Sequence, residues 1–262
     1  MKIKRYTMFL ILLVLITNLL VGCGDKSANA DIQAKKIIMG LDDTFAPMGF
    51  RDESGELVGF DIELAKEVAK KLDVEIEFQP IDWSMKETEL NTGNIDLIWN
   101  GYSITEERKE KVAFSTPYLA NSQIVVTLAD SSIVKLADLE GLAVAVQAES
   151  SAVDAAYSKE GFVESLKDGK MIEFSTNNEA FNDLEAGRSD AIVVDEVLAR
   201  YYMKQNGEEK YKVLEENLGD EEFGIGLRKE DTQLLEDINK ALDELMKDGT
   251  YDEIYNKWFS DN

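Results

Sequence analysis

The stretch DLIWNGYSITEER, residues 96–108, decides the predicted fold, and the rest of the chain can be understood from it. Its apolar Leu-Ile-Trp run is too short for a helix and is typical of a buried strand. The Asn-Gly pair at 100–101 breaks the run, as a loop at the end of a strand does. Ser103 and Thr105 are both helix N-cap residues, and Glu106 completes a capping box with Ser103. The stretch therefore predicts a strand, a loop and a helix in succession.

The same stretch carries groups that suit a small carboxylate. A strand that passes into a capped helix leaves backbone N–H groups facing outward, and the helix N-terminus adds partial positive charge. Arg108 adds a planar fork of donors that can hold a carboxylate with two hydrogen bonds. The alternative is an ordinary strand–loop–helix whose arginine pairs with a surface acid. From this stretch alone the two interpretations are about equal.

Composition disfavours several classes of function. The chain has 262 residues, with 28 Lys+Arg against 52 Asp+Glu, a formal net charge of −24 and no histidine. A surface this acidic repels phosphate backbones, so we expect no nucleic-acid partner. Without histidine the chain lacks the commonest metal ligand and the usual general base, so we expect no metal, no cofactor and no catalytic triad. Neither a GxxxxGK[ST] P-loop nor a G-x-S-x-G nucleophile elbow occurs.

The N-terminal residues predict export and lipid attachment. A basic start and an apolar run too short to span a bilayer comfortably indicate a signal peptide over residues 1–22. Leu-Val-Gly-Cys at 20–23 resembles the lipobox of bacterial lipoproteins, in which the cysteine becomes the lipidated N-terminus. Cys23 is the only cysteine, and a chance cysteine near a conventional cleavage site is the weaker alternative. A diacylglyceryl group would supply the two chains that lasting anchorage needs, and residues 23–35 would form a flexible tether.

Beyond the tether, apolar periodicity predicts strands that alternate with helices. We expect strands at 37–41, 74–78, 97–99, 142–146 and 191–194, and helices capped or opened by Asp61, Ser84 with Glu87, Ser150 with Ser151, Asp231 and Thr250. The β-branched run at 122–128 and the glycine-containing run at 223–227 could be strands that cross between two lobes. This alternation predicts a mainly parallel α/β sheet.

A weak internal repeat indicates two comparable halves. LNTGNID at 90–96 precedes the strand that leads to the Asn-Gly pair, and LEAGRSD at 184–190 precedes a strand that leads to Asp195. Ligands of open α/β sheets lie at the carboxyl ends of strands. Two such units could face each other, one carrying Arg108 and the other Asp195. Helix–glycine–strand units are common in α/β proteins, so the repeat alone is modest support.

Eight segments, in order, resemble the amino-acid solute-binding proteins of bacterial ABC importers. They read GLDDTFAPMGF, GELVGFDIELAKEVAKKL, IDW, NGYSITEERKEKVAFSTPY, VAVQAESS, EAGRSDAIVVDE, GIGLRKED and MKDGTYDEIYNKW. The resemblance covers about 37–259 and implies an α/β, two-lobed periplasmic-binding-protein-like fold of type II, its lobes joined by two crossing strands. We expect residues 36–121 plus 227–262 to form lobe 1, and residues 122–226, hinge strands included, to form lobe 2.

The resemblance also implies a ligand site between the lobes. Ser103, Arg108 and Ser151 would hold the ligand α-carboxylate, beside backbone groups of residues 100–101. Asp195 would take the α-ammonium, a role that its charge suits unaided. The full set of expected ligand-binding residues is Asp42, Phe45, Trp83, Asn100, Gly101, Tyr102, Ser103, Arg108, Gln147, Ser150, Ser151 and Asp195.

The loop before the serine pair departs from the family pattern, because Glu149 stands where a glycine is common. If that position needs a positive φ, glutamate is unfavourable there. Either the loop differs or its N–H contacts are altered, which makes Ser150 and Ser151 the least secure assignments.

The ligand side chain would meet Asp42, Phe45 and Trp83, by the same resemblance. A carboxylate among aromatic rings suits a side chain with N–H donors, so we expect a polar or basic amino acid, with cystine next. The alternative, nearly equal, is that Asp42 caps its own loop through the backbone N–H groups of Thr44 and Phe45.

These observations predict a monomeric, lipid-anchored, extracytoplasmic receptor that delivers a free amino acid to the permease subunits of an ABC importer. Closure of a hinge over the ligand would be the mechanism. We expect no enzymatic activity. The first alternative is an enzyme on the same architecture, for which Glu149 is the one candidate acid. The second is a ligand-sensing subunit, which would need a separate signalling partner.

Overall fold

Two mixed β-sheets, each packed against helices, form the part of the protein that the structure describes, residues 36–260 of a computed structural model. The strands are β1 (Lys36–Leu41), β2 (Thr44–Phe45), β3 (Gly49–Arg51), β4 (Leu57–Val58), β5 (Glu75–Pro80), β6 (Leu97–Ile98), β7 (Ala113–Phe114), β8 (Leu119–Leu128), β9 (Val144–Gln147), β10 (Ile172–Phe174), β11 (Ala191–Asp195), β12 (Tyr211–Val213), β13 (Gly219–Phe223) and β14 (Gly226–Leu227). The α-helices are α1 (Phe60–Leu72), α2 (Lys86–Asn91), α3 (Glu106–Lys111), α4 (Ser151–Ser158), α5 (Phe162–Ser165), α6 (Asn177–Glu185), α7 (Glu196–Asn206), α8 (Thr232–Asp248) and α9 (Thr250–Phe259).

The first sheet has the strand order β5-β1-β6-β14-β7, and the second has the order β10-β9-β11-β8-β12, with β13 also paired to β8. Strands β5, β1 and β6 are parallel to one another, as are β10, β9 and β11. Strands β8, β13 and β14, which lie next to the crossings between the sheets, pair antiparallel with their neighbours. Strands β2, β3 and β4 form a small third sheet. The predicted two-lobed α/β fold is confirmed, although its sheets are mixed rather than mainly parallel.

The chain passes between the two sheets twice, once between β7 and β8 and once between β13 and β14. The run at 223–227 does cross between the sheets, but as parts of two strands, because Phe223 ends a strand of one sheet and Gly226 begins a strand of the other. At Gly224 a Cβ atom would lie 2.9 Å from the end of the Ile104 side chain, so a larger residue at this crossing would require Ile104 to shift. The predicted lobe boundaries fall in or beside these elements and stay predictions.

Helix α1 holds the first lobe together, because its apolar face packs against α8 and α9. Its buried side chains include Ile62, Leu64 and Val68, and α8 contributes Ile238 and Leu242 to the same core. Burial of each such aliphatic side chain contributes roughly 1.5–3 kcal/mol. The apolar periodicity that predicted these two helices therefore identified residues that are buried in the core.

Three of the predicted helix caps are wrong. Thr105, and not Ser103, caps α3, since its side chain accepts a hydrogen bond from the Arg108 N–H. Asp82, and not Ser84, caps the 3₁₀ turn Trp83–Met85 that precedes α2. Asp61 lies inside the first turn of α1 with Gly59 as N-cap. Two of these residues, Ser103 and Asp61, instead make contacts that support the site described next.

Within residues 36–260, no helix combines the length and the apolar character that crossing a membrane requires. The predictions of a signal peptide at 1–22, of lipid attachment at Cys23 and of a tether at 23–35 lie outside the described residues.

Candidate functional site

The carboxyl ends of strands from both sheets place polar residues at one common edge, as open α/β sheets do. Asp42 follows β1, and Asn100 and Gly101 follow β6 in the first sheet. Gln147 ends β9 and Asp195 ends β11 in the second sheet. Hydrogen bonds join the two groups directly, so the structure brings the sequence-predicted residues together.

Arg108 is a buried cation, with only 4% of its surface exposed. Its guanidinium donates to the carbonyl oxygens of Ser103, at 3.0 Å, and Glu149, at 3.3 Å. It also lies over the ring of Tyr102, 4.6 Å from the centroid, while the Tyr102 hydroxyl donates to Glu87 at 2.9 Å. No ion pair of Arg108 is found among residues 36–260. Its charge is thus positioned by neutral groups, and no acid of the described residues lies within ion-pair distance of it.

Asp195 is a buried acidic residue on the opposite sheet, with 4% of its surface exposed. Its Oδ1 atom accepts hydrogen bonds from the amides of Asn121, at 2.6 Å, and Gln123, at 2.9 Å. Burial, and then the negative charge of Glu221, raise the pKa of Asp195. No lysine or arginine within residues 36–260 pairs with it. Asp195 is therefore a desolvated carboxylate held by two neutral donors.

Two hydroxyl groups meet between these charges. The Oγ atom of Ser151 donates to the Oγ atom of Ser103 at 2.9 Å. The Ser103 hydroxyl in turn donates to Glu221 at 2.6 Å. Ser103 lies at the end of the loop from β6, and Ser151 begins α4. Serines from the two lobes thus touch where the resemblance places the ligand carboxylate.

Asp42 uses its two carboxylate oxygens differently. Oδ1 accepts from the backbone N–H of Thr44, at 2.9 Å, and from its hydroxyl, at 2.7 Å. Oδ2 accepts from the Gln147 amide of the other sheet, at 2.9 Å. Burial raises the pKa of Asp42. Asp42 therefore caps its own loop through Thr44 and also contacts the opposite lobe, while the N–H of Phe45 donates instead to the Asp42 carbonyl oxygen.

The aromatic residues of the predicted site are buried beside the loop at 100–101. Phe45 lies so close to Gly101 that a Cβ atom there would be 2.8 Å from its ring, and Gly101 has a φ of 59°. The Gly101 N–H donates to Asp61 at 2.8 Å. Trp83 packs edge-on against Tyr102, with ring centroids 5.9 Å apart. The positive φ of Gly101 and its closeness to the Phe45 ring both favour glycine at this position.

Ser150 contacts its own loop, whereas Asn100 contacts the residue that follows β1. The Ser150 hydroxyl donates to the carbonyl oxygen of Gln147 at 2.7 Å, so it faces its own loop. The side-chain oxygen of Asn100 accepts from the Asp42 N–H at 3.0 Å. The amide nitrogen of Asn100 is buried without a hydrogen-bond partner, and it remains an available donor.

Glu149 has the positive φ that made a glutamate unfavourable, with a value of 54°. Its side chain is exposed, and its carbonyl oxygen accepts from Arg108 and from the ammonium of Lys86, the latter at 2.9 Å. A left-handed conformation costs a non-glycine residue roughly 1–2 kcal/mol. The loop accepts this strain and presents a carbonyl oxygen to two cations of the other lobe.

The sequence-based site omitted four residues. They are Lys86, Asn121, Gln123 and Glu221. Lys86 is 2% exposed, and burial, with the nearby charge of Arg108, lowers its pKa to about 8. Asn121 and Gln123 lie on the same face of β8, but Ser122 between them is also polar, so no polar–apolar alternation marked these two residues in the sequence.

Comparisons with known proteins give one consistent result. The family model of bacterial extracellular solute-binding proteins, family 3, matches residues 37–261. The arginine-binding extracellular protein ArtP of Bacillus subtilis is 31% identical over 254 residues, which cover 97% of each chain. The lysine/arginine/ornithine-binding periplasmic protein of Escherichia coli is 32% identical, over 95% of this chain and 97% of its own. A substrate-binding protein of an ABC uptake transporter from Streptococcus pneumoniae, with bound histidine, superposes with a TM-score of 0.84 and 43% identity, over 86% of this chain and 93% of its own.

Proposed function

Because this chain belongs to the bacterial extracellular solute-binding proteins of family 3, we propose that it binds a free amino acid between its lobes and delivers it to an ABC importer. Lipid attachment at Cys23 would keep this receptor at the outer face of the cell membrane, as a monomer beside the permease.

The observation that carries the proposal is the pair of buried, opposite and unpaired charges of Arg108 and Asp195. Buried charges are normally paired, because desolvation without a partner is costly. A free amino acid carries an α-carboxylate and an α-ammonium a few ångströms apart. One such ligand would neutralise both residues at once, with Ser103 and Ser151 donating to its carboxylate. Arg108 thus serves the carboxylate, and Asp195 serves the ammonium.

Asp42 favours a ligand side chain with N–H donors. Thr44 and Gln147 already donate to this buried carboxylate, but a purely aliphatic ligand side chain would add no donor to it, and an acidic one would be repelled. An amide, an imidazole or a guanidinium would bind it and stack on Phe45 and Trp83. Relatives that bind arginine, lysine, ornithine or histidine support a basic ligand. Cystine, with its second ammonium, is the alternative.

A thermal-shift panel of the twenty amino acids plus cystine tests the ligand class. We expect stabilisation by arginine, lysine, histidine, glutamine or cystine, since binding to the native state alone raises its stability. Mass spectrometry of small molecules released from the denatured protein identifies any ligand carried through purification. Stabilisation by leucine or glutamate, with none from the polar and basic members, would contradict the assignment of Asp42.

Binding without turnover is the other half of the proposal. The Glu149 carboxyl, the candidate acid of an enzyme, is exposed rather than held in the site. We therefore propose that ligand mass is unchanged after incubation with the protein. Loss of the starting mass would favour an enzyme, and a sensory role would require a signalling partner to be captured with the closed protein.

Closure would bring the two lobes together over the ligand. The contacts between Gln147 and Asp42, between Lys86 and the Glu149 carbonyl and between Ser151 and Ser103 all join groups of different sheets. These contacts are few, polar and located at the site, so a bound ligand that adds its own bonds would favour the closed form.

A further inference from the structure

A second carboxylate lies beside Asp195. Glu221 is on β13, opposite Asn121 of β8 in the antiparallel register. The Nε2 atom of Gln123 lies 3.0 Å from Oε2 of Glu221 and 2.9 Å from Oδ1 of Asp195. One neutral amide nitrogen therefore serves two carboxylates, which come from different strands of the second sheet.

The two carboxylates carry more negative charge than their described neighbours neutralise. Neither Asp195 nor Glu221 forms an ion pair within the part of the chain that the structure describes. Two acids that share one site repel each other, so the pair attracts a cation. The Oε1 atom of Gln123 is a further acceptor, buried without a hydrogen-bond partner. This end of the site is thus rich in acceptors.

We propose that Glu221 shares the ligand's α-ammonium with Asp195. The inference rests on the proposed function, because it assigns one more residue to the amino-acid site. An ammonium offers three N–H donors and no acceptor, so it can bond both carboxylates where the Gln123 amide now lies between them. Its positive charge also relieves the repulsion between the two acids, which a neutral amide cannot do.

The opposite assignment is that Glu221 competes with the ligand's carboxylate. The hydroxyls of Ser103 and Ser151 lie 2.6 Å and 3.2 Å from the same Oε2 atom, and the resemblance gives both hydroxyls to that carboxylate. Hydroxyls are neutral, however, whereas two acids that share one site favour a cation between them. Charge balance therefore favours the ammonium. The two assignments predict opposite results when the charge of Glu221 is removed.

Titration calorimetry of the wild type and of Glu221→Gln, with two matched ligand pairs, separates them. L-Arginine is compared with 5-guanidinopentanoate, and L-histidine with 3-(imidazol-4-yl)propanoate, which lack only the α-amino group. We expect Glu221→Gln to weaken binding of the amino acids by about tenfold or more and to leave the desamino acids unchanged or tighter. The matched control is Glu222→Gln, which removes the same charge from the exposed neighbour on the other face of β13.

Three results would overturn the inference. Amino-acid affinity within about twofold of the wild type would remove Glu221 from the ammonium site. Tighter binding of both members of a pair would show competition with the carboxylate, and equal weakening of both would show a general loss of the site. Glu221→Asp keeps the charge and should recover part of the affinity, which distinguishes the charge from the fold. A wild type that is stabilised by none of the twenty amino acids or cystine contradicts the proposed function itself.

Discussion

At the scale of single residues, the proposed pairing of Arg108 and Asp195 with the two charges of an amino acid gives the most direct prediction. Removing either side chain leaves a buried ligand charge unpaired, at a cost of roughly 2–5 kcal/mol. Arg108→Ala and Asp195→Ala should each weaken amino-acid binding at least about thirtyfold, measured by calorimetric titration. The control is Arg200→Ala, since Arg200 is exposed and pairs with Glu196 on the surface of α7 at 2.9 Å. Near wild-type affinity in either variant would remove that residue from the site.

The same scale shows how far sequence reasoning reaches into the site. Arg108 and Asp195 could be predicted, because each follows a strand and carries the charge that a zwitterion needs. Glu221 and Lys86 could not, because their side chains reach the site only after strand register and the meeting of the lobes are known. In a chain with so many charged residues, the presence of a glutamate or a lysine at one position does not indicate whether its side chain points into the site or into solvent.

At the scale of elements, Asp61 joins helix α1 to the loop of the site. It is fully buried, accepts from the Gly101 N–H and from the Tyr118 hydroxyl, and burial raises its pKa to about 7. Its native pKa therefore exceeds its unfolded value of 3.8, so the native state holds the proton more tightly. This contribution to stability is fully present below the unfolded pKa and is lost as pH rises to about 7.

Asp61→Asn keeps an acceptor and removes the titration. Between pH 5 and pH 8, the wild type should lose about 2–3 kcal/mol of unfolding free energy relative to this variant. Denaturant unfolding at both pH values measures the difference. Glu63→Gln is the matched control, because Glu63 lies two positions further along the same helix and is partly exposed. Its unfolding free energy should change with pH as that of the wild type does. A constant difference between wild type and Asp61→Asn across this range would show that Asp61 does not titrate there.

Elements were predicted well where periodicity was long and poorly where capping was at issue. Helix α8 is seventeen residues long, and apolar residues at helical spacing over such a length distinguish a helix from a strand. A cap depends on one side chain, and Ser103 and Ser84 each had another polar residue nearby to take that role, whereas α1 begins after Gly59 without a side-chain cap. Tertiary contacts decided between them, as with Ser103, whose hydroxyl donates to Glu221.

At the scale of the whole molecule, the sequence predicted the strands but not which strands pair with one another. Strand β8 is long enough to pair with β13 over its first half and with β11 and β12 over its second. Its apolar composition predicted a strand but not these three partners. Residues brought together from the two sheets, such as Asp42 and Gln147, are separated by 105 positions in the chain, a distance over which local pattern carries no information.

Anchorage of the whole molecule is the last prediction, and it concerns Cys23. The lipobox resemblance places two acyl chains on this cysteine, enough for lasting membrane attachment because each buried methylene contributes about 0.8 kcal/mol. Cys23→Ser should therefore move the protein from the membrane pellet to the soluble fraction after ultracentrifugation. Ligand affinity should not change, because the polar contacts described for the site all lie within residues 36–260. Ser27→Ala, a substitution in the predicted tether, is the control that should stay in the pellet. A Cys23→Ser protein that still sediments with membranes would show that attachment does not depend on this cysteine.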